Sequence, residues 1–151
     1  EQVSYVHAPV LAEQRGIAVR LITTPDVDDY RNLLTIRGAL SDGTQLEVAG
    51  TLTGPKQIQK LVGVNGYDLE IPISEHLLVL LYQDRPGVIG ALGRILGEAE
   101  INIAGMQVAR NSEGGQALSL LTVDSSVPQD VLETVREAIG ATVAREVDLQ
   151  D

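Results

Sequence analysis

The sequence has no cysteine, tryptophan or phenylalanine, one methionine and two histidines, and its 3% of aromatic residues are four tyrosines. Without cysteine these residues hold no disulfide framework, no thiolate nucleophile and no iron–sulfur or zinc–thiolate site. That usage fits a reducing cytoplasm. His7 and His76 lie too far apart for a local metal motif, and neither is accompanied by a pattern of supporting hydrogen-bond partners. Both are expected to be ordinary surface or partly buried side chains, with no metal. So few rings make no platform for stacking bases, and a net charge of -10 works against a phosphate backbone, so no nucleic acid partner is expected. No window approaches the roughly 18 consecutive apolar residues that a membrane span needs. Glu1 opens neither a basic stretch nor a small-residue cleavage pattern, and no initiator methionine precedes it. The expectation is a soluble, cytoplasmic piece of a larger protein, without a membrane partner.

What is present is 151 residues with 44% apolar side chains, enough for one ordinary core or two small ones. Glycine and proline punctuate the chain near Pro25, Gly43, Gly54-Pro55, Gly63, Gly66 and Pro72. Residues 5–15 read as a helix, with Pro9 in its first turn and Gly16 as its C-cap, and residues 17–23 as a strand. Residues 32–40 and 44–52 alternate apolar and polar around Ser41-Asp42-Gly43, a hairpin signal. Residues 56–62 read as a strand or a short helix, and residues 64–71 as a strand turned by Asn65-Gly66.

From His76 onward the pattern is strand, helix, strand, strand, helix, strand. The strands fall at residues 76–82, 103–110, 116–123 and 141–149, and the second and third form a hairpin through residues 111–115. One helix runs from the Asp84-Arg85-Pro86-Gly87 loop to about Ala99, and Pro128 opens another at residues 129–139. This order predicts a split βαβ arrangement, a ferredoxin-like four-stranded antiparallel sheet with both helices on one face. The fold class is α+β: a sheet-rich α/β unit over residues 1–74, then a βαββαβ unit over residues 75–151.

On a helical wheel Val88, Leu92, Ile95 and Ala99 form the stripe that covers the sheet, flanked by Ile89 and Leu96. Gly90, Gly93 and Gly97 cluster on the opposite side, each costing about 1 kcal/mol against alanine. Either that surface merely tolerates glycine, or another subunit or a ligand comes close to it. Asp84 is open to two readings as well. It can cap the helix, or it can meet the ammonium of a free amino acid whose carboxylate takes the amides of Gly87 and Val88 at the positive helix end. Asn102, at the start of the second strand, offers a donor and an acceptor to such a ligand.

Tyr82-Gln83-Asp84-Arg85-Pro86-Gly87, Val88-Ile89-Gly90 and Ile101-Asn102-Ile103 resemble the signature of ACT domains. Tyr5-Val6-His7-Ala8-Pro9, Leu11-Ala12, Arg15-Gly16-Ile17, Gly50-Thr51-Leu52 and Gly54 resemble the intervening domain of long-form D-3-phosphoglycerate dehydrogenases. The resemblance implies regulatory domains that bind L-serine, the pathway end product, where two ACT sheets join side by side in a homodimer or higher oligomer. Tyr82, Asp84 and the Gly87-Val88 amides would hold serine from one subunit, with Asn102 contributed across the interface and Pro86 and Ile103 also among the effector-binding residues. It also implies a second effector site for substrate or phosphate on the intervening domain, at Lys60, with Lys56 as a further candidate. Tyr67-Asp68-Leu69-Glu70 carries no arginine there, which counts against that site. Arg20, Arg31 and Arg37 are the remaining basic residues that could cluster nearby.

The glycines at 87, 90, 93 and 97 do not spell Gly-x-Gly-x-x-Gly, and no Gly-Lys-Ser or Gly-Lys-Thr step is present. Catalysis and NAD are therefore expected on a part of the enzyme outside these residues. Some iron–sulfur L-serine dehydratases carry a similar pair of domains, and an ACT module that only dimerises is a third reading.

Overall fold

The computed structural model describes residues 4, 6–23 and 30–149. It holds three helices and two four-stranded antiparallel sheets. Helix α1 spans Ala8–Gln14, with His7 as N-cap and Pro9 in its first turn. Gly16 follows it with φ +67°. Tyr5 and Pro25 lie outside the described residues. Residues 17–23 do not form the expected strand. Val19 is 75% and Leu21 85% exposed, and β propensity without a neighbouring edge to pair with yields no ladder.

The first sheet runs in chain order through β1 (Leu34–Ala39), β2 (Gln45–Thr53), β3 (Ile58–Val64) and β4 (Tyr67–Pro72). The hairpin at residues 41–43 is present, with Gly43 at φ +84° and the Asp42 carboxylate accepting the Thr44 N–H at 2.9 Å. That backbone bond holds the Asp42 carboxyl below its ordinary pKa. Residues 58–64 resolve as strand, not helix, because Asn65 and Gly66, both with positive φ, make the tight turn that returns β4 alongside β3. Ile36, Val48, Val64 and Tyr67 stand in one cross-strand row. Burial rises along it, from an exposed Ile36 to a partly buried Tyr67.

The second sheet has the order β6-β7-β5-β8, built from β5 (His76–Gln83), β6 (Ile103–Arg110), β7 (Gln116–Val123) and β8 (Val143–Asp148). Helices α2 (Val88–Glu98) and α3 (Gln129–Ile139) are its crossovers. Alternation along β5 sorts the core. Leu78, Leu80 and Tyr82 join Leu92, Leu96, Val135 and Ile139 under the helices, whereas Leu77, Val79 and Leu81 face the other way. On that second face they meet Leu69 and Ile71 of β4, so the first sheet packs on the side of the second that the helices leave open.

Glu146 ties three elements together. Its Oε1 lies 3.0 Å from His76 Nδ1, and its Oε2 accepts from Ser126 Oγ at 3.0 Å and from the Val127 N–H at 3.1 Å. Glu146→Ala takes the acceptor from a partly buried amide and is expected to cost about 1–3 kcal/mol. The check is a lower urea midpoint at an unchanged slope.

Candidate functional site

Helix α2 begins unusually. Its N-cap is Gly87, in a left-handed conformation at φ +92°, with no side-chain cap and no acidic residue in the first turn. A β-carbon at Gly87 would meet nothing within 4 Å, so glycine serves backbone conformation here, not space. The first intrahelical bond runs from the Ala91 N–H to the Gly87 carbonyl at 3.0 Å, which leaves the preceding amides without an acceptor in the helix. Val88 is 4% exposed, with its side chain in the core. Pro86 is exposed.

Asp84 is not the cap. Its carboxylate accepts from Arg110 Nη1 at 3.1 Å, and its own N–H donates to the Gly115 carbonyl at 2.8 Å. Arg110 closes β6, so the loop before α2 is pinned to the β6–β7 hairpin. The side chain of Gln83 donates to the Gly114 carbonyl of the same hairpin. Sequence reading missed Arg110 because strand pairing brings it across 26 positions of chain.

Tyr82 sits apart from this surface. It is 2% exposed, under the helices, with its hydroxyl 2.8 Å from the fully buried Ser119 Oγ. Tyr82→Phe leaves that serine without its partner and is expected to cost about 1–3 kcal/mol in urea unfolding. Asn102 lies beyond the far end of α2, whose 11 residues span about 16 Å, and its side-chain amide donates to Asp124 at 2.8 Å. Ile103 is partly buried against the helix-side core. One chain therefore places Asp84 and Gly87 before the start of α2 and Asn102 and Ile103 beyond its end.

The wheel prediction for α2 holds at Val88, Leu92, Ile95 and Leu96. Ile89 departs from it, at 59% exposed. It shares Leu96's side of the wheel, so its place in the first turn, not its azimuth, leaves it uncovered. Gly90, Gly93 and Gly97 are all exposed, and a β-carbon on any of them would meet nothing within 4 Å. Nothing among the described residues requires glycine there.

The basic residues of the first sheet do not converge. Lys60 ion-pairs with Glu70 across β3 and β4, Arg37 pairs with Glu47 across β1 and β2, and Lys56 lies in the β2–β3 turn. Among the described residues no group of three or more histidines and carboxylates comes together to hold a metal, and no helix is long and apolar enough to cross a membrane. A cleft of about 500 Å³ between α3 and β8, lined by Leu132, Glu133, Arg136 and Glu146 among others, contains none of the Asp84 group.

The βαββαβ order, the β6-β7-β5-β8 sheet and the open end of α2 define an ACT domain, whose family model matches residues 76–140. Residues 1–65 match the model of the D-3-phosphoglycerate dehydrogenase intervening domain. The chain thus matches, in series, a D-3-phosphoglycerate dehydrogenase intervening domain and an ACT domain. D-3-phosphoglycerate dehydrogenase of Mycobacterium leprae is 36% identical over 149 residues, 99% of this chain and 28% of that protein. The enzyme named so in Mycobacterium tuberculosis is 35% identical, with the same shares covered. That of Synechocystis is 33% identical over 151 residues, 99% of this chain and 26% of its own length. The chain thus spans little more than a quarter of these relatives.

Proposed function

We propose that this chain is the L-serine sensor of a D-3-phosphoglycerate dehydrogenase, with residues 1–74 as the intervening domain and residues 75–151 as the ACT domain. Serine acts as feedback inhibitor, bound between two ACT domains of a homodimer or a larger assembly. The NAD site and the catalytic groups belong to a part of the enzyme outside these residues, and the assembly works in the cytoplasm. One observation carries this reading: α2 opens with uncapped amides beside a carboxylate, so a single small zwitterion meets both of its charges there.

The separation of Asn102 from Asp84 fits the same arrangement. Under a two-fold axis a contact from one subunit is repeated by the other. Two α2 helices facing each other through Gly90, Gly93 and Gly97 bring Asn102 and Ile103 of each copy toward Asp84 of its neighbour. Serine then links the two subunits and favours the arrangement in which they are close, which biases the attached catalytic parts by about 1–3 kcal/mol, the usual range of allosteric coupling.

The test is sedimentation of the chain with and without L-serine. The expected result is a shift toward dimer at saturating serine. A chain that remains monomeric at every serine concentration rules out an interfacial site.

A further inference from the structure

We infer that Arg110 gates this site: in the ligand-free chain its guanidinium holds Asp84, and the ammonium of an arriving amino acid has to displace it. The inference rests on Asp84 being the ammonium acceptor of the proposed site. Arg110 Nη1 lies 3.1 Å from Asp84 Oδ2, with the arginine side chain 57% exposed and the aspartate 23%. The carboxylate is thus the more enclosed and the guanidinium the more exposed partner.

The backbone that carries the carboxylate is also held in place. The Asp84 N–H is bonded to Gly115 and the Gln83 side chain to Gly114, while the Asn111 N–H bonds to the Gln116 carbonyl at 3.2 Å and closes the hairpin. Arg110, by contrast, extends from the end of β6 on a flexible stem. A guanidinium and an ammonium on one carboxylate place two positive charges within a few ångströms, which is unfavourable even in a solvated setting. The two cations therefore compete for Asp84. Only a ligand with an ammonium can compete with Arg110, so the pair discriminates against small carboxylates that lack one.

Titration of the chain and its R110Q variant with L-serine tests the gate. Exposed ion pairs of this kind shift equilibria by about one and a half to fivefold, so R110Q is expected to bind serine that much more tightly, and glycine by the same factor. R110K, which keeps a competing cation, stays near the parent affinity. Unchanged or weaker binding by R110Q overturns the gate, and weaker binding makes Arg110 a direct contact to the ligand. A purely structural arginine shows instead as a lower melting temperature without a gain in affinity. A folded parent chain that takes no serine defeats the sensor reading itself, whereas serine binding by the parent with no gain in R110Q defeats only the gate.

Discussion

Asp84→Asn is expected to weaken L-serine binding by about ten- to a hundredfold and to leave the fold standing. The loss follows from removing a charge-assisted bond between carboxylate and ammonium, worth about 1.5–3 kcal/mol. Little else depends on that carboxylate. Its bond within the chain is to Arg110, an exposed pair worth about 0.2–1 kcal/mol, and the backbone bond to Gly115 remains in the variant. Calorimetric titration and thermal melting of the same sample separate the two effects. Normal serine affinity in Asp84→Asn would remove this residue from the site.

Gly93→Leu is expected to abolish dimer formation, and serine binding with it, while the isolated chain becomes more stable. Gly93 is exposed and a β-carbon there meets nothing within 4 Å among the described residues, so a larger side chain can point to solvent. Leucine is also the better helix former by nearly 1 kcal/mol, which for a chain of this size raises the melting temperature by about 2–4 °C. Between two helices in close approach the same side chain has no space. Stability and association therefore move in opposite directions, which an effect on folding alone does not produce. A Gly93→Leu chain that still dimerises and binds serine would show that the glycine face is mere tolerated surface.

The ACT half was open to reading from sequence because its signals are local. The 3.6-residue stripe of α2, Pro128 before α3 and the turn composition of residues 111–115 each need only a few adjacent residues. Strands β6 and β7 and helix α3 fall where those signals place them. What stayed hidden depends on distant pairing. The continuous apolar run of β5 does not reveal which residues face the helices, and that choice puts Tyr82 in the core against Ser119. Asp84 reads as a plausible cap until Arg110 arrives from the end of another strand. Residues 17–23 have the composition of a strand, and only the completed sheet shows that no ladder includes them. The packing of β4 against the open face of the second sheet has no local signature either.

The central claim is that this chain senses serine between two ACT domains, and isothermal titration with L-serine, with glycine and L-valine as controls and sedimentation alongside, tests it most directly. The account predicts saturable binding that favours serine, at one site per ACT domain, on a dimer. A well-folded dimer that takes up no serine would contradict it and would leave these domains an assembly module or the sensor of another effector.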